Sequence, residues 1–206
     1  GVPVARITTA VPVLHPNVDT SAIYCQAEEG AEERTWQMTP KTMKMRQNSP
    51  LQIVYFDGLG SRCRIGPEAE EGEFSILSDL RAAGMTDYFA LPAPFSDGTN
   101  KAITFATKAP GGFSDAHIAL LEAMMPTAAM ILEIQTLRRT ALTLLDTYVG
   151  PAAGRRVVEG SIKRGMGETI HSVIWFCDLR GFTVLSGRLD DEALLALLND
   201  YFGAMT

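Results

Sequence analysis

Tyr88-Phe89-Ala90-Leu91, the triplet Ser96-Asp97-Gly98 and Ala102-Ile103-Thr104-Phe105-Ala106 come one after another in the middle of the chain. Aromatic and β-branched residues suit a pleated, half-buried surface, and Ser-Asp-Gly supplies turn chemistry. The segment therefore reads as two strands joined by a turn. Upstream, residues 4–14, with Val4, Ile7, Val11 and Val13, and Ser21–Gln26, around Ile23 and Tyr24, read as two more strands. Glu28 to Glu33 reads as an acidic, glycine-containing turn, and Gln52–Phe56 as an apolar run ending in the tight turn Gly58-Leu59-Gly60. Phe74, Leu77 and Leu80 recur at helical spacing, which predicts a helix from about Phe74 to Ala83 with Gly84 as its stop. Strands, helix and turns mix without βαβ alternation. The fold class expected for residues 1–113 is α+β with a mainly antiparallel sheet.

From Ser114, a plausible N-cap, a helix-compatible stretch runs to about Tyr148. Counting sevens from Leu121 gives Ala128, Gln135, Leu142 and Val149; counting from Met124 gives Ile131, Arg138 and Leu145. This is a heptad seam with a polar middle, and Pro126 is expected to kink it. For Ile118–Ile131 an amphipathic helix packed on its own domain is an equal alternative. Beyond Leu132 little sequence remains to bury the helix against, so residues 132–149 are expected to form a parallel dimeric coil, with Gln135 and Arg138 setting its register. Pro151 and Gly154 then break the helix. After Gly160, Gly165 and Gly167 comes Val173-Ile174-Trp175-Phe176, read as a buried strand.

Composition bounds the partners. Lys plus Arg total 18 against 24 for Asp plus Glu, a net charge of −6. No basic strip follows a phosphate backbone, since Arg155, Arg156, Lys163 and Arg164 are interrupted by apolar residues, so nucleic acid is not an expected partner. Cys25, Cys63 and Cys177 are odd in number and widely spaced, which fits neither a disulfide framework nor a zinc site and points to a reducing cytoplasm. No continuous apolar run approaches the 18 or so residues of a membrane span, and Gly1-Val2-Pro3 lacks signal-peptide features.

The expected strand 173–176 runs into Cys177-Asp178-Leu179-Arg180-Gly181-Phe182-Thr183, and a helix carrying Leu197-Leu198-Asn199-Asp200-Tyr201-Phe202 comes next. One carboxylate at the lip of a strand, next to a glycine turn and a helix N-terminus, suits a hard cation and a phosphate. A capping or turn carboxylate is the plainer explanation of Asp178 taken alone. The whole string, however, closely resembles the first strand, metal loop and first helix of class III adenylate and guanylate cyclases, whose pattern is F-x-D-[IL]-x-G-F-T followed by L-N-x-[YF]-F. Leu145-Asp146-Thr147-Tyr148-Val149-Gly150 through Gly165-Met166-Gly167-Glu168 resembles the connector that joins sensor coils to bacterial cyclase domains.

The resemblance implies a ferredoxin-like catalytic domain beginning at residues 171–206, with residues 150–170 as connector. It makes Asp178 the first metal-binding aspartate and the Leu179 carbonyl a ligand of one of two Mg²⁺ or Mn²⁺ ions. Gly181, Phe182 and Thr183 would hold the triphosphate of ATP or GTP, and Phe176 would pack against the nucleotide. The implied reaction is attack of the ribose 3′ oxygen on the α-phosphorus with pyrophosphate leaving. The second metal aspartate, the base-reading residues and the transition-state Asn and Arg would lie beyond residue 206, so this chain alone is expected to be inactive. ATP is the default substrate by analogy only.

Asp97-Gly98, Ile103-Thr104-Phe105-Ala106 and Phe113-Ser114-Asp115, with the helix after them, resemble the closing half of a GAF domain. That family is one of small α+β sensor modules whose last helix, here 114–131, commonly continues into a signalling coil. The resemblance implies a regulatory role, a homodimer through the long helix, with Gln135, Arg138, Leu142, Leu145 and Val149 at its contact, and a small-molecule ligand of unassigned identity. No bilin or haem context singles out Cys25, Cys63, His15 or His117, and the N-K-F-D-E motif of some cyclic-nucleotide-binding members is absent. Tyr24, Trp36, Tyr55, Phe56, Phe74, Tyr88, Phe89 and Phe105 read as core rather than pocket, and Asp87, Ser96 and Asp97 as turn formers. A non-catalytic binding or dimerisation module with a cyclase-like tail is the competing interpretation. A diguanylate cyclase would need G-G-[DE]-[DE]-F, which is absent.

Overall fold

The computed structural model describes residues 1–15, 18–27, 29–37, 39, 49–68, 73–160, 171 and 173–205, with only the backbone for 14, 15, 36, 151 and 152. The side chains of His15 and Trp36, Glu28, and the connector glycines Gly165 and Gly167 lie outside the described residues. The chain divides into two compact units, Gly1–Arg164 and Gly165–Thr206.

The first unit is built on a six-stranded sheet of order β3-β2-β1-β6-β5-β4. Its strands are β1 (Arg6–His15), β2 (Val18–Gln26), β3 (Gly30–Trp36), β4 (Ser61–Arg64), β5 (Asp87–Pro94) and β6 (Asn100–Thr107). Every pairing is antiparallel. The second strand of the hairpin of Tyr88 and Phe105 is at its centre: β6 pairs with β5 through Phe89↔Phe105 and with β1 through Ile7↔Phe105. Asp97 closes the turn by accepting from Thr99 N at 2.8 Å, and the Thr99 bonds hold its carboxyl below the usual range.

Three sequence expectations change here. Glu28–Glu33 is not all turn, because β3 begins at Gly30 and carries Glu32 and Glu33 opposite Tyr24 and Ile23. An edge strand tolerates charges that a central strand would not, since one of its sides meets water. Gly154 does not break the chain either: a helix α4 (Pro151–Val158) includes it, with Pro151 at the helix start. Its missing side chain permits close approach, as a Cβ there would stand 2.9 Å from Asp146 Oδ1 and 3.1 Å from Leu145 Cβ. Finally, Val173–Phe176 forms no strand and is 73–96% exposed. Strand formation needs a neighbour to take its backbone hydrogen bonds, and among the described residues of the second unit no other strand exists to do so.

Opposite faces of the sheet carry two cores. On one, Tyr88, Ala90, Ala102 and Ala106 pack with Val54 of a wide π-helical turn α1 (Ile53–Asp57), with Ile65, and with Leu77 and Leu80 of α2 (Ser75–Ala82). Helix α2 stops at Gly84, φ +76°, where Gly84 N donates to Arg81 O and Met85 N to Leu80 O, a left-handed cap that satisfies its last carbonyls. On the other face, Phe89, Leu91, Ile103 and Phe105 meet Leu121, Met125 and Ala129 of α3 (Asp115–Val149), a single helix of 35 residues. Ser114 caps it, accepting from His117 N at 3.2 Å while Ser114 N donates to His117 Nδ1 at 3.3 Å, which gives His117 a structural task.

Residues beyond Leu132 are not without cover. Leu132 joins the α3-side core, Glu133 accepts from Ser96 N at 3.0 Å, and Arg139 donates to Ser21 Oγ at 3.1 Å and pairs with Glu33. The Ser21 and Arg139 bonds hold the Glu33 carboxyl below its ordinary range. By length and composition α3 has a stretch apolar enough to cross a membrane, with hydropathy 1.4, which the continuous-run criterion missed. The packing and ion pair just described are those of a helix docked on its own sheet. The second unit holds α5 (Phe182–Ser186) and α6 (Asp191–Met205).

Candidate functional site

Two places hold the residues that the sequence singles out. In the second unit, residues 173–179 have no regular secondary structure and lead to Gly181, whose φ of +76° is the left-handed value that glycine adopts without strain. Asp178 is exposed, and its Oδ1 accepts from Leu179 N at 2.9 Å. The Leu179 carbonyl accepts from Phe182 N at 3.1 Å, and Gly181 O takes Val184 N and Leu185 N at 3.0 Å. The loop therefore turns directly into α5, keeping Asp178, Leu179, Gly181, Phe182 and Thr183 together. Phe176 is 91% exposed. Trp175 and Cys177 lie on the side facing α6, where with Tyr201, Phe202 and Met205 they line a cleft of about 470 Å³. Tyr201 Oη donates to Cys177 Sγ at 3.1 Å, an arrangement that raises the phenol's pKa. Among the described residues no group of three or more His, Cys, Asp or Glu side chains is placed to hold a metal ion.

The second place is the α2 side of the sheet. Register puts Tyr88, Ala90 and Pro92 of β5 beside Ala106, Thr104 and Ala102 of β6, and these beside Arg6, Thr8 and Ala10 of β1. Apart from Arg6, small side chains thus floor the sheet around one large phenol. Tyr88 is 2% exposed, and its hydroxyl lies near Thr104 without reaching hydrogen-bonding geometry to any described residue. Thr104 Oγ1 is itself directed at Thr8 O, 3.3 Å away. Burial pushes the phenol's pKa well up, so it stays a neutral donor. A buried hydroxyl without a partner costs about 1–3 kcal/mol. Tyr88→Phe is expected to raise the melting temperature by a few degrees; a lower one would mean that the hydroxyl already has a structural partner.

Cys63, beside Tyr88 in the β4–β5 register, is half-buried, and burial followed by the nearby Asp87 charge raises its pKa, so it is a poor nucleophile at neutral pH. Tyr24 does something the pattern of apolar residues did not reveal: the guanidinium groups of Arg6 and Arg34 each stand 5.0 Å from its ring centre.

Asp87, read from sequence as a turn residue, is fully buried at the start of β5. Its carboxylate accepts from Arg62 Nη2 at 2.7 Å and from Phe113 N at 2.9 Å, tying β4 and β5 to the loop that launches α3. Arg62 also donates to Phe113 O at 2.5 Å. The carboxylate in turn holds Arg62 still more firmly protonated. Gly112 completes this latch at φ +75°: a Cβ there would lie 2.5 Å from Asp87 Oδ2 and 2.6 Å from Arg64 Nη1. Gly112→Ala is expected to cost about 2 kcal/mol from backbone strain and displaced partners; a melting temperature within about 2 °C of the parent would contradict this.

The described residues define a mixed α+β module with an antiparallel sheet and a long helix latched to it. Among solved structures, the GAF domain of a two-component sensor histidine kinase from Bacillus halodurans is similar to it: the match is 12% identical, has a TM-score of 0.47, and covers 66% of this chain and 85% of that one. No protein-family model and no curated protein matches the chain.

Proposed function

We propose that residues 1–149 form a GAF-like sensor and its dimerising output helix, and that residues 171–206 begin the catalytic domain of a class III nucleotide cyclase in the cytoplasm. The observation that carries this reading is α3, which packs into the sheet core at Leu121 and continues as one helix to the connector helix α4. A change on the sheet thereby has a rigid path to the connector. The Tyr88 face is the proposed seat of a small polar ligand, because a buried donor is in place there with nothing described to accept from it.

The catalytic half of the proposal rests on the string from Ile174 to Phe202 and on the turn that keeps its key residues together. Asp178 and the Leu179 carbonyl offer oxygen donors, the right kind for Mg²⁺ or Mn²⁺, but they fill about two of the six positions such an ion takes. The donor set fits in kind and is incomplete in number. Two such ions, when bound, supply Lewis-acid stabilisation of the attacking and leaving oxygens. What these residues would contribute is position: the turn at Gly181 would place the first amides of α5 beside an anion, and Asp178 would supply the negative charge that recruits a cation.

The test is nucleotide turnover by the longer protein that contains these residues, with Mg²⁺ or Mn²⁺ and with ATP and GTP offered separately. Cyclic AMP formation supports the proposal with ATP as substrate, and cyclic GMP formation supports it with GTP. A folded protein that forms neither is a binding module with a cyclase-like tail.

A further inference from the structure

The side of α3 that faces away from its sheet carries an uninterrupted heptad repeat. Leu120, Thr127, Ile134, Ala141 and Tyr148 recur every seven residues, and so do Ala116, Ala123, Met130, Leu137 and Leu144, set three or four positions away. Every one is exposed or half-exposed; Met130, Ile134, Leu137 and Leu144 are 40–60% exposed. Met125, buried against the sheet, and Ile134, in the exposed line, are nine positions apart, about two and a half turns, and so point in opposite directions. This line is not the one that runs through Leu121, Ala128, Gln135 and Leu142. Leu121 is 2% exposed and belongs to the module's own core, and Leu142 is half-buried; Met124 and Ile131, of the set counted from Met124, are 53% and 54% exposed but stand about 100–120° around the helix from Met125 and not opposite it.

We infer that this outer line is the contact between two copies of the chain, packed as a parallel, in-register coiled coil along most of α3, beside the sheet as well as beyond it. The inference rests on the homodimeric sensor proposed above and assigns its interface. A stripe of period 3.5 stays on one side of a helix only if that helix supercoils around another of the same repeat, a constraint that neither a globular core nor a lipid surface imposes. The first set matches the a positions, with β-branched Thr127 and Ile134. The second matches d, with Leu137 and Leu144, and β-branched a with Leu at d favours two parallel strands. Glu133 and Arg138 then fall at g and at the following e, beside the stripe; Glu133 Oε1 is held by Ser96 of its own module, so it is Oε2 that a parallel partner brings to Arg138 of the other copy. The repeat spans roughly 50 Å of helix at 1.5 Å per residue.

The experiment is disulfide trapping in the whole 206-residue chain with Cys25, Cys63 and Cys177 replaced by Ser. Single Leu137→Cys and Gln135→Cys variants are oxidised and their masses compared, with sedimentation measured before oxidation and with and without vesicles of anionic phospholipid. The expected result is a dimer in which Leu137→Cys crosslinks at least about tenfold faster than Gln135→Cys, because only facing a or d positions bring Cβ atoms within disulfide reach. Ile134→Glu with Leu137→Glu, both at exposed positions, should weaken the dimer at least about a hundredfold while leaving the melting of the diluted monomer unchanged. A dimer that crosslinks faster at Gln135 overturns the assigned seam and leaves the dimer standing. A chain that stays monomeric overturns both, and one that is monomeric but sediments with the vesicles assigns the stripe to a membrane surface.

Discussion

Asp87→Ala is expected to lower stability by about 3 kcal/mol, at the low end of what losing one partner of a buried ion pair costs. The lower end applies because the Arg62 side chain is 26% exposed and can be rehydrated, whereas Asp87 is fully buried. What water cannot restore is the acceptor for Phe113 N, which is left in a buried corner beside a side chain that is itself 1% exposed. At about 2–4 °C per kcal/mol for a chain of this size, the melting temperature should fall by roughly 6–12 °C. Asp87→Asn retains an acceptor for Phe113 N but not the charge, so its loss should be smaller. A drop under about 3 °C for the Ala variant would show that the latch between β4, β5 and the start of α3 holds little of the fold.

Asp178→Ala, made in the longer protein, should reduce nucleotide cyclisation at least about a hundredfold, since losing even an outer partner of a metal ligand typically costs 10–100-fold. The variant should melt within a degree or two of the parent, because Asp178 is exposed and its side chain bonds only the adjacent Leu179 amide among the described residues. That combination separates metal recruitment from folding. Unchanged turnover at saturating Mg²⁺ and Mn²⁺ would remove Asp178 from the proposed chemistry, while a large loss of stability would return it to the simpler role of a turn carboxylate.

Local chemistry was enough to place the central hairpin, α2 and the start of α3. Ser96-Asp97-Gly98, the Phe74-Leu77-Leu80 spacing, Gly84 and the Ser114 cap act over a few residues, so their consequences are written in the sequence itself. The turn from Gly181 into α5 was legible too, because its residues are contiguous, whereas the strand expected to carry Asp178 at its lip is not there.

What needed the tertiary structure was everything that depends on a distant neighbour. Arg6 pairs with Ala106 across nearly the whole module, and only that pairing brings Thr8 beside Thr104 and leaves the Tyr88 hydroxyl enclosed. Asp87 reads as a turn residue until Arg62 and Phe113 close on it. Glu32 and Glu33 read as turn until β2 offers them a ladder, and Val173–Phe176 reads as a strand although nothing described pairs with it. The phase of the helix is the sharpest case. Counting sevens from Leu121 or from Leu120 gives two apolar lines a single residue apart, which is about 100° of rotation. The sequence determined that α3 has a heptad repeat. Only the sheet, by taking Leu121, Met125 and Ala129 into its core, decided that the line starting at Leu121 turns inward there and that the line starting at Leu120 faces away.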